Sequence, residues 1–295
     1  MDAPRWVIPL ETGTTMPLWH HPTRSFPNGR VTVSAGEMTV GLNVNADKIP
    51  SYGWHDAPGK LADLHINLIY QPGPWHERVE VSRYTSETLV FHGQWCRGHF
   101  DRRSAVGEVT IFTGHEFHAG VYQWGALEAG FMALAALTWW RGGLLLHAAT
   151  IENGGGALVI CGESGRGKTT LARRNWAKFL NEEHAFVTRA ADGRWRSHWY
   201  SQSRCPPQER PAVLDVVGLR LLSDVRDQTA LRPCSASEAY AGIVHSAVWL
   251  PGMPLQTLID RVAALCDAYD PLWFDHSLQT PVGKVFDVLA QESIR

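Results

Sequence analysis

Short apolar runs separated by turn residues fill the first 125 residues of the chain, a pattern typical of β-strands. The run at residues 65–70 is the clearest, and it ends at the chain-breaking segment Gln71-Pro-Gly-Pro74. No fixed-period repeat emerges here. The pattern predicts an N-terminal domain over residues 1–125 that is mainly β or α+β and holds a substrate or partner. The predicted strands are residues 31–33, 38–42, 65–70, 79–82, 88–91 and 109–112.

The pattern changes at residue 126, where apolar residues take up the three- and four-residue spacing of a helix. This helix is predicted to end at Arg141-Gly-Gly143, and two apolar runs joined by a turn at Gly154-Gly-Gly156 then predict a hairpin. The whole pattern predicts a C-terminal domain over residues 126–295 of the α/β class with a mixed sheet. Helices are predicted at residues 126–140, 170–177, 236–245, 255–266 and 282–291, and strands at 144–151, 157–161, 179–187, 194–200 and 213–222.

Composition narrows the choice of partners. The chain has 295 residues, of which 44% are hydrophobic and 19% charged, so a packed core is expected and disorder is not. The formal net charge of −2 argues against a broad basic surface for nucleic acid or anionic lipid. We therefore expect neither a nucleic-acid nor a membrane partner, and the oligomeric state, a homo-oligomer included, stays open.

Three features of the sequence bear on where in the cell the protein is expected. Residues 1–6 contain an acid and lack the apolar core of a signal peptide. The longest uncharged apolar run, residues 129–140, is shorter than the roughly 20 residues of a membrane span, so a buried helix is predicted there. The five cysteines are scattered with no CxxC pair, which favours neither a disulfide framework nor a thiolate zinc site. The prediction is a cytoplasmic protein.

One glycine-rich segment lies between a predicted strand and a predicted helix and matches the phosphate-binding pattern G-x-x-x-x-G-K-[ST]. Its glycines allow successive backbone N–H groups to point at a polyphosphate. Lys168 is expected to reach the β- and γ-phosphates, and the Thr169 hydroxyl to ligate Mg²⁺. For Arg166, a solvent-facing position is the alternative. The residues expected to contact the nucleotide are Gly162, Glu163, Ser164, Gly165, Arg166, Gly167, Lys168, Thr169 and Thr170.

Two adjacent acids, Glu182 and Glu183, follow the loop and its helix. A phosphate-binding loop of this kind needs an acid on a neighbouring strand to hold Mg²⁺. Adjacent side chains of a strand point to opposite faces, so one of the two acids is expected to face the phosphates directly. The alternative is a solvated turn, because only two apolar residues lead into the pair.

The order of these elements resembles the catalytic domain of HPr kinase/phosphorylase, which shares its fold with phosphoenolpyruvate carboxykinases. That order is a hairpin, the phosphate loop, a short helix, the two acids, a Trp-containing strand and a helical tail. Small HPr-kinase-like proteins found beside peptide-modification cassettes are the most similar in pattern. The resemblance covers residues 143–290, and only the phosphate loop is specific. The matching pieces are residues 146–151, 154–156 and 162–169, Leu180-Asn-Glu-Glu183 and Gly193-Arg-Trp195, with looser matches at 231–233 and 278–288.

The resemblance implies ATP- and Mg²⁺-dependent transfer of a phosphoryl group to a serine-type hydroxyl on a peptide, a protein or a small molecule. It implies a catalytic base at Glu182 beside the catalytic Lys168, and a Mg²⁺ partner at Glu183. It also implies that His147 approaches the phosphates, for which an ordinary strand histidine is the alternative.

The chain departs from the family in two places near the acids. Glu182 stands where the family usually has Asp, and Ala177-Lys-Phe179 stands in place of the family's Gly-His step. A longer acid displaces a base unless the backbone compensates. A catalytically weak ATP-binding adaptor or recognition subunit of a peptide-maturation system is therefore the alternative function.

Other motifs point to no further chemistry. The chain lacks the Ser-Gly-Gly-Gln signature of transporter ATPases and the Asn-Lys-x-Asp step of GTPases, and Asp215-Val-Val-Gly218 is interpreted as a chance match. His115 and His118 would lie on opposite faces of a strand, which disfavours a metal site. A peptide groove is the functional hypothesis for four tryptophans of the N-terminal half, with core packing favoured. They are Trp54, Trp75, Trp95 and Trp124.

Overall fold

Two β-sheets, each with parallel and antiparallel neighbours, form a mixed α/β fold in the described part of the chain. The structure is a computed structural model. It describes residues 30–43, 62–71, 73, 80–112, 119–163, 165–174, 179–200, 213–223 and 226–291. The first sheet contains β1 (Arg30–Ala35), β2 (Met38–Asn43), β3 (Leu64–Gln71), β4 (Glu80–Tyr84), β5 (Thr88–His92), β6 (Cys96–Asp101) and β7 (Val106–Phe112). Its order is β1-β2-β3-β7-β6-β5-β4, and β3 runs parallel to both of its neighbours.

The second sheet follows a single long helix, α1 (Ala119–Trp140). Its strands are β8 (Leu144–Leu146), β9 (Ala148–Asn153), β10 (Gly156–Cys161), β11 (Phe179–Asn181), β12 (Ala185–Arg189), β13 (Trp195–His198), β14 (Val213–Leu222), β15 (Ala230–Pro233) and β16 (Leu272–Asp275). The main order is β11-β9-β10-β14-β13-β12-β8, and β16 pairs with the end of β14 and with β15. The remaining helices are α2 (Lys168–Arg174), α3 (Ala236–Ser246), α4 (Leu255–Ala268) and α5 (Val282–Leu289).

The hairpin predicted before the phosphate loop is confirmed. Strands β9 and β10 pair antiparallel, with Cys161 opposite Ala148. Gly154 and Gly155 have φ values of 59° and 84°, the left-handed backbone that a two-residue hairpin turn requires and that glycine adopts without strain. The first predicted strand was drawn too long, because β8 is separate and pairs with β12.

The predicted strand across residues 179–187 is wrong. Two strands stand there instead: β11 is an edge strand, and β12 is the next-to-last strand at the other end of the order. The chain between them bends at Glu182 and Glu183. The pair of acids interrupts the apolar run, and each of the short apolar segments beside it pairs with a different strand.

Helix α1 is apolar on all sides, which is the composition of a helix buried in a core. It packs mainly against the first sheet, although the sequence assigned it to the second domain, and it also contacts β8 and β12. None of the helices in the described part of the chain combines the length and the apolarity needed to cross a membrane. Residues 129–140 are buried apart from the half-buried Phe131, and a buried helix was predicted there.

Candidate functional site

The functional residues meet at one edge of the second sheet. Strand β14 is parallel to β10 and to β16, while β10 and β11 are both antiparallel to β9. The carboxyl ends of β10, β11, β14 and β16 therefore share an edge, which is where open α/β sheets bind ligands. At this edge the glycine-rich loop follows β10. The bend at Glu182 and Glu183, called the acidic bend below, follows β11.

The loop has the backbone that its glycines allow. Gly165 and Gly167 have φ values of 85° and 99°. The Nζ of Lys168 donates to the carbonyl oxygens of Gly162 at 2.6 Å and Glu163 at 3.0 Å, so the ammonium group is held over the loop. Ser164 lies outside the described residues.

Arg166 forms an ion pair within the loop, with its Nη2 2.9 Å from the Glu163 carboxylate. This contact lowers the pKa of Glu163. Thr169 is half-buried and Thr170 is exposed at the start of α2. Arg166 is thus paired with Glu163, and the role of the Thr169 hydroxyl as a metal ligand stays a prediction.

Lys168 is 5% exposed. Burial lowers its pKa to about 8, and the nearby Glu183 carboxylate opposes this shift. The lysine thus carries its charge at neutral pH, but that charge has few partners among the described residues besides the two carbonyls. A polyphosphate would supply the missing negative charge.

The two predicted acids differ in their surroundings. Glu182 is 5% exposed, and its charge acts on His184 and on Tyr200. Glu183 is exposed, and its charge acts on Lys168. The interpretation as a fully solvated turn holds for Glu183 alone. Of the two acids, Glu183 is the one whose charge acts on Lys168 of the phosphate loop.

Hydrogen bonds from a neighbouring asparagine hold the acidic bend in place. Asn181, at the end of β11, donates from Nδ2 to the carbonyl oxygen of His198 at 2.9 Å. Its Oδ1 accepts from the backbone N–H of Tyr200 at 2.8 Å. The Tyr200 side chain is buried, and burial raises its pKa, with further contributions from Glu183 and Glu182.

Two histidines complete the cluster. His147 lies between β8 and β9, where the hairpin begins, and its ring centroid is 5.8 Å from that of His184. Burial lowers the pKa of His147 to about 4, aided by the positive charge of Lys168. Burial also lowers the pKa of His184 to about 4. Both rings are therefore neutral at physiological pH and able to accept or donate a hydrogen bond.

The sequence analysis predicted His147 but missed His184, which adjoins the acids without matching any motif. It also missed three buried polar residues at the carboxyl ends of β14 and β16, because the four-residue strand β16 was not predicted. They are Ser223, Asp275 and His276. Burial by itself would raise the pKa of Asp275, but hydrogen bonds from Arg232 and Ser223 outweigh it and lower that pKa.

No cluster of three or more metal-ligating side chains occurs among the described residues. The donor set at the loop nevertheless fits Mg²⁺, which keeps several waters and binds through few protein groups and substrate phosphates. The Thr169 hydroxyl and the exposed Glu183 carboxylate are oxygen donors of that kind.

The other sequence candidates lie elsewhere. His115 and His118, together with Trp54 and Trp75, fall outside the described residues, as does the side chain of Trp124. Trp95 is half-buried. Asp215 lies in β14, paired with Arg194 and Arg196, away from the loop. Cys96, Cys161, Cys234 and Cys266 are free thiols.

Comparison with known proteins adds no assignment. A scan against protein-family models finds no match for this chain, and a search of curated proteins finds none that is significantly similar.

Proposed function

We propose that this chain is an ATP- and Mg²⁺-dependent phosphotransferase with an HPr-kinase-like second domain. It transfers the γ-phosphoryl group to a serine-type hydroxyl on a peptide, a protein or a small molecule. The observation that carries the proposal is the glycine-rich loop at the sheet edge, where buried Lys168 lies near Glu183 and His147. Phosphoryl transfer needs positioning and charge neutralisation above all, and these residues supply both.

The loop residues bind the phosphate chain. Backbone N–H groups of residues 165–169 donate to it, and the ammonium group of Lys168 turns from the loop carbonyls towards the β- and γ-phosphates. Glu183 and the Thr169 hydroxyl hold Mg²⁺, which neutralises the charge that develops on the transferred group.

Glu182 takes the proton from the acceptor hydroxyl in this proposal. A base must come within hydrogen-bond reach of that proton. Because Glu182 is 5% exposed, the acidic bend must open, or the acceptor must enter it, before transfer. His147 and His184, both neutral, lie near Lys168 with their ring centroids 5.8 Å apart, and would supply hydrogen bonds to the bound substrates.

The burial of Glu182 favours one second candidate. An ATP-binding adaptor or recognition subunit would keep the loop and Lys168 but would have no need of an accessible base. It predicts nucleotide binding without phosphoryl transfer.

Binding and transfer are measured separately to test the two candidates. Calorimetry with Mg-ATP measures binding, and γ-labelled ATP with serine-containing candidate acceptors measures transfer. Under both candidates, Lys168→Ala abolishes binding. Under the kinase proposal, Glu182→Gln abolishes transfer and spares binding, and Glu183→Gln weakens both in a Mg²⁺-dependent manner.

Glu152→Gln is the matched control, because Glu152 lies at the far end of the β9–β10 hairpin. It should leave binding and transfer unchanged. Absence of Mg-ATP binding by the wild-type chain would contradict both candidates. Binding without transfer to any acceptor would favour the adaptor.

A further inference from the structure

One buried histidine outside the predicted site lies close to the phosphate loop. His276 follows β16, whose carboxyl end lies at the same sheet edge as the loop. A Cβ placed on Gly167 would lie 3.2 Å from His276 Nε2 and 3.3 Å from its Cε1. The Nε2–Cε1 edge of the ring therefore faces the loop backbone at the residue before Lys168.

The ring of His276 is fully buried, and neither of its nitrogens has a hydrogen-bond partner within the described residues. Its own carbonyl oxygen accepts from the backbone N–H of Arg226 at 2.9 Å. The next residue, Ser277, donates its backbone N–H to Thr229 Oγ1 at 3.0 Å. Polar groups around the ring are thus paired while the ring is not, and a hydrogen bond from a bound ligand would remove the cost of its burial.

Hydrogen bonds to the neighbouring backbone and a stacking contact of the ring position His276. Arg174 of α2 donates to the carbonyl oxygens of Ser277, at 3.2 Å, and Thr280. The segment after His276 is thereby tied to the helix that follows the phosphate loop. The ring itself stacks on Phe274 with a centroid distance of 6.2 Å and an interplanar angle of 19°.

In its neutral form the ring of His276 still offers one hydrogen-bond donor to an anion. Burial lowers the pKa of His276, the nearby Arg174 cation lowers it further, and Asp275 opposes them. A neutral imidazole has one N–H donor and one acceptor nitrogen. The group that the proposed function brings to this loop is a phosphate chain, whose oxygens accept hydrogen bonds.

We propose that His276 is a phosphate-binding residue whose Nε2–H donates a hydrogen bond to an oxygen of the phosphate chain in the 162–169 loop. The inference rests on the proposed function and extends it, since it assigns recognition of the phosphates to a second segment of the chain. The ligand class is a Mg²⁺-bound polyphosphate, whatever base it carries.

The test compares His276→Phe and His276→Gln in the full chain by calorimetry with Mg-ATP and with Mg-tripolyphosphate. The phenyl ring preserves the packing and removes the donor, so His276→Phe should weaken the binding of both ligands about tenfold or more. Glutamine carries an Nε2 donor at similar reach, so His276→Gln should restore most of the affinity. His99→Phe, at an exposed position of β6, is the matched control and should bind as the wild type does.

A measurement on the wild-type chain covers the case in which His276→Phe does not fold. In ¹⁵N-histidine spectra, the Nε2 resonance of His276 should shift when Mg-ATP or Mg-tripolyphosphate is added, and should stay in place with adenosine. Equal affinity of His276→Phe and wild type, or an unchanged Nε2 resonance in the complex, overturns this inference and leaves the proposed function standing. Wild-type protein that binds neither ligand overturns the proposed function and this inference together.

Discussion

At the scale of single residues, Gly167 meets two separate constraints. Its φ of 99° lies in the left-handed region, and a Cβ added there would lie 3.2 Å from Nε2 of the buried His276 ring. Gly165 shares the first constraint, with a φ of 85°, but a Cβ there would meet nothing within 4 Å. Comparing substitutions at these two glycines therefore distinguishes the cost of backbone strain from the cost of a steric contact.

Substitution of each glycine by alanine should show this difference. We expect Gly165→Ala to lower the free energy of unfolding by about 1 kcal/mol, the cost of a left-handed residue with a Cβ. Gly167→Ala should cost about 2–3 kcal/mol, because the added Cβ would also approach the His276 ring to 3.2 Å, closer than ordinary van der Waals contact. Urea denaturation measures both values, and equal losses would contradict the contact.

Lys168 makes phosphate binding depend on pH. Its folded pKa is about 8, below the ordinary value of 10.5, so the empty protein loses the lysine proton as the pH rises through 8. Phosphate binds the charged form, so the Kd for Mg-ATP should rise above pH 8 by up to about tenfold per pH unit. Titrations between pH 7 and pH 9.5 measure this, and Lys168→Arg should remove the dependence, because arginine stays charged throughout.

The stability of the empty chain should change in the opposite direction. The unfolded lysine keeps its proton up to pH 10.5, whereas the folded one releases it near pH 8. The unfolded state therefore binds more protons between these values, and this residue's contribution to stability rises with pH there. A Kd that is flat across pH 8 would contradict the lowered pKa.

At the scale of elements, a carboxylate of α1 accepts hydrogen bonds from the turn between β5 and β6. Glu128 accepts the backbone N–H groups of Gln94 and Trp95 at 2.8 Å each, and the thiol of Cys96 at 3.4 Å. Burial raises the pKa of Glu128, and these hydrogen bonds oppose the rise. The helix is thus joined to the first sheet by polar contacts as well as by its apolar sides.

Glu128→Gln should therefore destabilise the protein by about 1–3 kcal/mol. Glutamine presents an NH₂ group to one of the two backbone N–H donors and leaves that donor without an acceptor. Glu108→Gln, at an exposed position of β7, should change stability by less than about 0.5 kcal/mol. Thermal or urea unfolding measures the free energy of unfolding of the two variants. Similar losses for both would contradict this role of Glu128.

Most helices and strands were predicted from the local spacing of apolar residues. A spacing of two or of about 3.6 residues indicates which face of an element is buried. Strand β14 was predicted with the bounds that the structure has. The short strand β16 was missed, because its four residues, Leu272–Asp275, contain too little pattern, and β14 and β15 supply its hydrogen bonds. Because β16 was missed, His276 was not predicted as a site residue, although the phosphate loop beside it was predicted.

At the scale of the whole molecule, the two sheets share a core. Phe131 of α1 packs its ring against His184 at 4.8 Å, Phe186 at 5.9 Å and Tyr200 at 6.3 Å between ring centroids. The backbone N–H of Gly36 in the first sheet donates to the carbonyl oxygen of Trp199 at 2.8 Å. Because His184 adjoins the acidic bend, this core also supports the candidate site.

We expect the described core to unfold in one transition for this reason. Phe131→Ala should lower the free energy of unfolding by about 2–4 kcal/mol while the transition stays single, because both sheets lose contacts together. Val106→Ala, at a position that is 44% exposed, is the control and should cost less than about 0.5 kcal/mol. Calorimetry that resolves two transitions, with only one shifted by Phe131→Ala, would contradict a shared core.

Local pattern by itself determined the glycine-rich loop, the hairpin before it, and the residue types that could bind phosphate, because these depend on neighbours within a few positions. Only the tertiary structure decided that Glu182 is buried while the charge of Glu183 acts on Lys168, and that the ring of His276 lies close to Gly167. Those relations depend on which strands become neighbours and where each chain segment leaves the sheet. Long-range pairing of that kind is set by the packing of the whole core, and no short segment of sequence encodes it.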